Sequence, residues 1–369
     1  MKIVPAIALW TFAYILLRPL LVSIDLSTAY RPLFFYDQYF PIDYFSNAAV
    51  LSLIALGFII ALNHTIGKQE RLFWQGYIRP LVENSRSTLA LFTAILSFLI
   101  VPFSGFYFAL SYLLAYRVRR LILILFLLFI TFFAATTEDR RHLAALLIFI
   151  FSTQFSNSAS PTSKNANLLR LLKGSYLYIL GFSLLSLLAY ISIKMRSDIS
   201  LKLISSRDYA LRLIEIELDF PIIYDDLNFL LSEIKEKVIL PDNLLHMVYK
   251  PFLTVIPRSI WSEKPESSSR VFAELYFQAF YNNGGSLPTT FIGDALLSFG
   301  IFCVFGLTYI LAFIYFLKRF LHKTPEIFYS HLLITSFLFV RGPFDSFALT
   351  IIPIFIYWFF SNLTRRRAH

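Results

Sequence analysis

Apolar runs follow one another along this chain with only short polar breaks between them. They lie near residues 3–22, 46–62, 121–136, 143–155, 175–194, 291–317, 327–340 and 343–361. Each approaches the roughly 20 residues that cross a bilayer core of about 30 Å as a helix. Residues 89–116 do not fit: as one helix they would run about 42 Å, too long for one crossing and too short for two. Pro102 and Gly105 stand at the middle of this stretch, where a helix breaks. The pattern therefore predicts a tight hairpin over 88–116, made of two short tilted halves, and about ten membrane segments in all. Between 195 and 290 polar residues take over. Within that stretch, 206–218 and 226–239 carry apolar residues at helical spacing between charges, as amphipathic helices lying on a membrane or on the bundle would. The expected fold is an all-α polytopic membrane protein in three parts: membrane segments over 1–194, one large outward loop over 195–290, and membrane segments with a basic tail over 291–369.

Composition excludes an ordinary soluble globule. The chain is 57% hydrophobic and 15% charged, with a mean hydropathy of +0.65, where soluble domains carry about 25% charged residues. The net charge of +10 does not point to nucleic acid, because of where it sits. Residues 195–290 hold ten Lys/Arg against thirteen Asp/Glu, so the positive excess lies beside the apolar runs, where it orients them. Counting the hairpin as two segments puts Lys2, then Lys68, Arg71, Arg79 and Arg86, then Arg117, Arg119 and Arg120 on one side. Lys164, Arg170, Lys173, Lys318, Arg319, Lys323, Arg365, Arg366 and Arg367 fall on that side as well. The short loops opposite contain only Arg31, Arg140, Arg141 and Arg341. Both termini are thus expected in the cytoplasm, with residues 195–290 facing outward. The first 24 residues lack a small-residue cleavage site and read as a first span rather than a signal peptide. The single cysteine, Cys303, excludes an internal disulfide and a Cys-based zinc site.

Most motifs that carry chemistry are absent. There is no Gly-rich phosphate loop, His-x-x-x-His pair or Gly-x-Ser-x-Gly elbow, so nucleotide use and serine hydrolysis have no local support. What stands out is a set of outward basic residues: Arg140, Arg141, Arg207, Arg258, Lys264, Arg270 and Arg341. The short segment 143–155 draws Arg140, Arg141 and His142 to the outer membrane boundary, where charges need partners. Guanidinium forks match phosphate oxygens, and a lipid pyrophosphate would supply them. Pairing with nearby acids is the other reading: Arg140 with Glu138 or Asp139, Arg207 with Asp208, Arg341 with Asp345. The first outward loop, 30–45, is dense in aromatics with acids between. Its rings suit sugar stacking and equally suit a bilayer boundary, and the same two readings apply to Trp261 and Tyr281. Asp25, Asp37 and Asp43 have no His partner and no tight spacing, so no metal is expected.

The most specific passage runs Tyr249-Lys250-Pro251 to Pro257-Arg258-Ser259-Ile260-Trp261-Ser262-Glu263-Lys264-Pro265. Pro288-Thr289-Thr290-Phe291-Ile292-Gly293-Asp294 and Ser298-Phe299-Gly300 follow, with Arg341-Gly342 between the last two spans. In these residues, and in its layout, the chain resembles bacterial Wzy-type O-antigen and oligosaccharide repeat-unit polymerases. It departs from that pattern at Asp294, where Glu is usual, and at Pro343, where an acid is common and for which Asp345 could substitute. The resemblance implies a GT-C-like membrane glycosyltransferase in the bacterial inner membrane. Such an enzyme moves a growing glycan from undecaprenyl pyrophosphate onto a newly flipped lipid-linked repeat unit at the periplasmic face, with no nucleotide sugar and no cofactor. Its partners would be the lipid-linked donor and acceptor, the bilayer, a chain-length regulator and a flippase. Arg140, Arg258, Lys264 and Arg341 would bind pyrophosphate, with Arg258 assisting departure of the leaving group, and Arg207, Trp261 and Tyr281 would meet the glycan. For Asp294 two roles stay open, general base or a residue stabilised at a helix start, and leaving-group activation alone is a third possibility. Rival functions are an O-antigen ligase and a flippase of lipid-linked glycan.

Overall fold

The computed structural model describes residues 3–23, 44–75, 80–136, 220–237, 246–253, 260–276, 278–282, 289–322 and 324–367, with isolated positions between them. Among the described residues all regular structure is helical apart from one bridge pair, Leu81 and Arg117. The helices are α1 (Ile3–Ser23), α2 (Tyr44–Leu62), α3 (Lys68–Gln75), α4 (Asn84–Ile100), α5 (Pro102–Ala115) and α6 (Arg120–Thr136). From the outward loop come α7 (Phe220–Lys237), α8 (His246–Leu253), α9 (Ser268–Tyr276) and α10 (Gln278–Asn282). The C-terminal part holds α11 (Phe291–Phe299), α12 (Cys303–Phe320), α13 (Pro325–Ile334), α14 (Ser336–Arg341), α15 (Phe344–Leu349) and α16 (Ile352–Arg367). Among the described residues three helical stretches are long and apolar enough to cross a membrane: Phe45–Glu70, Phe291–Phe320 and Phe344–Asn362. Shorter apolar helices accompany them at Ile3–Leu16, Asn84–Ile100, Phe103–Ala115 and Arg120–Ile130. Of the other expected segments, 175–194 lies outside the described residues, 143–155 keeps only isolated positions, and amphipathic 206–218 also lies outside.

The expected hairpin is present. Val101 is extended, Pro102 opens α5 with a ring that suits a first helical turn, and the two arms pack along each other. Gly105 permits that approach: a Cβ there would sit 2.2 Å from the Ala94 carbonyl oxygen and 2.9 Å from the Phe98 nitrogen. At the base, Val82 N donates to Arg117 O and Arg117 N donates to Pro80 O, so both arms begin and end at one end of the bundle.

The C-terminal spans are bent by small side chains that compete for backbone groups. Gly300, at φ 55, separates α11 from α12 in a conformation that favours glycine. Thr335 donates its hydroxyl to His331 O (2.6 Å) and Ser336 to Leu333 O (2.8 Å) where α13 gives way to α14. Thr350 donates to Phe347 O (2.6 Å) between α15 and α16. Every residue from 327 to 340 is buried, so α13 and α14 run through the centre of the bundle. There the ring nitrogens of His331 lie 3.1 Å from Ser111 Oγ and 2.9 Å from Thr350 Oγ1, tying the hairpin to the C-terminal spans. Along α12, by contrast, Val304, Phe305, Thr308, Ala312, Tyr315 and Phe316 form one exposed stripe, while Leu307, Ile310, Ile314 and Leu317 face the core.

Helix α7 begins at Phe220, ahead of the amphipathic stretch expected from 226, because Pro221 fits a first helical turn. Its apolar face packs on the bundle, against α1, α2 and α11. Asn47 on α2 donates to Asn228 Oδ1 (2.8 Å) and Ser232 Oγ (3.0 Å), and Lys235 donates to Asn47 Oδ1 (2.6 Å). Burial and the neighbouring Asp225 push the Tyr224 phenol up from its ordinary value. The chain ends sort accordingly. Glu70 accepts from the first amides of α1, Ile3 N and Val4 N, and Lys318 Nζ donates to Thr65 O. The start of α1, the end of α2 and the end of α12 therefore share one end of the bundle. Helices α7 to α9 lie against the other.

Candidate functional site

At that second end, four stretches of the sequence meet. Thr290 caps α11, its Oγ1 accepting from Gly293 N at 3.1 Å, which turns Asp294 inward on the first helical turn. The Asp294 carboxylate is 1% exposed. Its Oδ1 accepts from Thr289 Oγ1 (3.1 Å) and its Oδ2 from Phe344 N (2.5 Å), with the Ser268 hydroxyl as a further donor. Phe344 is the first residue of α15, so a carboxylate fifty positions earlier in sequence satisfies an amide that α15 leaves without a partner of its own. That bond fixes the turn made by Arg341, Gly342 and Pro343.

Asp345, one residue on, is the charged neighbour of Asp294. Lys250 and Lys264 act electrostatically on Asp345. Lys250, Lys264 and Asp345 are 3%, 9% and 5% exposed, so with Asp294 two bases and two acids share this buried place. Asp345 Oδ1 has no hydrogen-bond partner among the described residues.

The lysines also shape the chain above them. Lys264 Nζ donates to Ile256 O at 2.7 Å, closing the loop 256–264 on itself, and Lys250 Nζ donates to Pro265 O. The stretch from Ile256 to Pro265 is thus tied at both ends. Met247 N donates to Ser298 Oγ (3.2 Å) and Tyr309 Oη to Val248 O (3.2 Å), holding α8 and its Lys250 against α11 and α12.

The sequence-predicted residues fall into three groups. Asp294 and Lys264 sit in this cluster. Arg341 is half-buried at the end of α14, within electrostatic reach of the Tyr14 hydroxyl, on the turn that Asp294 anchors. Trp261 is half-buried, its carbonyl accepting from Lys264 N (3.3 Å). Tyr281 stands apart: the Arg270 guanidinium lies 4.8 Å over its ring and 3.6 Å from Glu266, so Arg270 has a nearby acid and an aromatic face. Arg140, Arg141, His142, Arg207 and Arg258 lie outside the described residues, as do Asp25, Asp37 and Asp43. Among the described residues no three His, Cys, Asp or Glu side chains converge as metal ligands would.

Sequence reasoning passed over Lys250, Ser268 and Thr289. Lys250 and Thr289 lay inside quoted passages, but an isolated charge or hydroxyl has no periodic signature. Only the fold reveals that each meets an acid. No family model, no curated protein and no solved structure matches the chain.

Proposed function

We propose that the chain is a membrane glycosyltransferase that polymerises oligosaccharide repeat units carried on undecaprenyl pyrophosphate, building an O-antigen or related surface polysaccharide. It works at the periplasmic face of the bacterial inner membrane, with both termini in the cytoplasm. One observation carries this reading. Lys250, Lys264 and Asp294, from separate stretches on which the resemblance rests, meet in one buried cluster that binds the Phe344 amide just after Arg341-Gly342 and ties Ile256 and Pro265, on either side of Arg258 in sequence.

The chemistry needs cations at a leaving pyrophosphate. As the anomeric carbon–oxygen bond of the donor breaks, its electron pair passes to the pyrophosphate. The acceptor hydroxyl oxygen bonds to the anomeric carbon and releases its proton to a phosphate oxygen or to solvent. Fixed positive charge at the developing phosphate charge lowers the barrier, and removing one such donor typically costs about 10²–10³ in rate. The Lys250, Lys264, Asp294 and Asp345 cluster is buried, and its lysines are committed to the Pro265 and Ile256 carbonyls, so its service is positional. It holds the Arg258 loop at Ile256 and Pro265 and the Arg341 turn through the Phe344 amide that follows it. Arg258 and Arg341, with Arg140, are then the groups that grip pyrophosphate. Asp294, with both oxygens already accepting hydrogen bonds, is an anchor in this scheme and no dedicated base is required.

The test is Arg258→Ala in cells that carry the matching glycan pathway. Single repeat units on the final lipid, with the protein inserted at normal level, support the proposal. Normal long chains overturn the role of Arg258. Loss of the repeat unit from the periplasmic face altogether indicates a flippase instead.

A further inference from the structure

A second feature lies at the opposite end of the bundle and does not depend on the reaction proposed above. Between the start of α3, the end of α12 and the start of α13 is a recess of about 310 Å³, at the lower bound of the roughly 300–1,000 Å³ of small-molecule pockets. Its polar rim is Gln69, Lys318, Arg319 and His322, and Tyr315 and Phe328 are among its apolar walls. We propose that this recess binds the phosphate of an anionic phospholipid headgroup, with the acyl chains lying along α12.

The arrangement of α12 carries the inference. Its exposed stripe, Val304, Phe305, Thr308, Ala312, Tyr315 and Phe316, follows one face of the helix, and the next exposed position on it is Arg319. An acyl chain packed on that stripe ends its course at a guanidinium beside a cavity. A cluster of cations alone would be orienting charge of the usual kind. Here the cations line a concave site between helices, as basic pockets for phospholipid headgroups do. Lys318 is already fixed, donating to Thr65 O (2.5 Å) with its ammonium 6.0 Å from the Tyr315 ring centre, and it adds positive field at the recess. Among the described residues neither Arg319 nor His322 is paired with an acid: Arg319 has no side-chain partner, and His322 Nδ1 lies 2.9 Å from Arg319 O. The acid of the neighbouring α3, Glu70, is turned to the start of α1. The guanidinium fork thus faces the recess and matches phosphate geometry.

Phosphate chemistry has two sources, a lipid headgroup or a soluble phosphate, and the apolar stripe favours the lipid. The full chain, purified in a neutral detergent, is titrated with phosphatidylglycerol, phosphatidylcholine and inorganic phosphate in separate arms, and its thermal unfolding is followed. The expected result is a saturable rise in unfolding temperature with phosphatidylglycerol alone. In Arg319→Ala the midpoint of that titration rises about fivefold, the worth of one cation near an anionic lipid surface. Arg120→Ala, a basic residue outside the recess, keeps the parental midpoint. Equal midpoints in the parent and Arg319→Ala overturn the proposal. So does a rise with inorganic phosphate that Arg319→Ala abolishes while phosphatidylglycerol has no effect, which assigns the recess to a soluble phosphate.

Discussion

Replacing Asp294 separates an anchor from a proton acceptor. In the structure its two oxygens accept from Phe344 N at 2.5 Å and Thr289 Oγ1 at 3.1 Å, with Ser268 as a third donor. Asp294→Ala strands the Phe344 amide, which cannot reorient, whereas the two hydroxyls can turn elsewhere. Losing a capping acceptor costs about 1–2 kcal/mol and an unsatisfied buried donor about 1–3 kcal/mol. These describe overlapping parts of one event, so the expected loss is about 2–4 kcal/mol. Asp294→Asn keeps an oxygen for Phe344 N, and its amide can donate to Thr289. It is also nearly the same shape as Asp, so its expected cost is within about 1 kcal/mol. Asp294→Glu forces an extra methylene into a closed site, at about 1–3 kcal/mol. Unfolding of the purified chain in mixed micelles measures these differences, and elongation of a lipid-linked repeat unit by the same samples measures activity. The anchor account expects Asn to be active and near the parent in stability, with Ala impaired in both. An Asn variant of parental stability without elongation would refute it and make Asp294 the base.

Further substitutions test the scaffold. Gly105→Ala places a methyl group 2.2 Å from the Ala94 oxygen and should cost at least about 1–3 kcal/mol by parting the hairpin arms. Gly57→Ala, with nothing within 4 Å of its new Cβ, should be neutral or stabilising by up to about 1 kcal/mol, and the same micelle unfolding reads both. Asn47→Leu removes the bonds to Asn228, Ser232 and Lys235, so amide exchange over 220–237 should quicken while exchange in α13 holds. In a Cys303→Ala background, a cysteine at Ser286 should label from outside intact cells and one at Gln69 only after permeabilisation. The reverse pattern would invert the orientation expected from Lys and Arg.

The long apolar helices were legible because composition and length alone define them: 46–62, 291–317 and 343–361 each became a helical stretch of at least nearly the expected extent. The hairpin was legible too, since Pro102 and Gly105 interrupt a run of awkward length. The bends within spans were not. Thr335 and Thr350 break helices by local hydroxyl-to-carbonyl bonds, and threonines in other helices, such as Thr93, make the same bond without a break. Helix α7 was expected from 226, where apolar residues recur between charges, and it includes Phe220–Asp225 as well. At the site, Asp294 and the Arg341 turn were each visible as unusual residues. Their meeting was not, because a contact across fifty positions leaves no mark on the spacing of either.

The central claim is that the chain lengthens lipid-linked glycan with no nucleotide sugar. The purified protein in liposomes, given a labelled undecaprenyl-pyrophosphate repeat unit as the only sugar source, tests it most directly. The account predicts a ladder of products that differ by whole repeat units, with undecaprenyl pyrophosphate released at each step. Transfer of the label between leaflets with no product longer than one unit would contradict it.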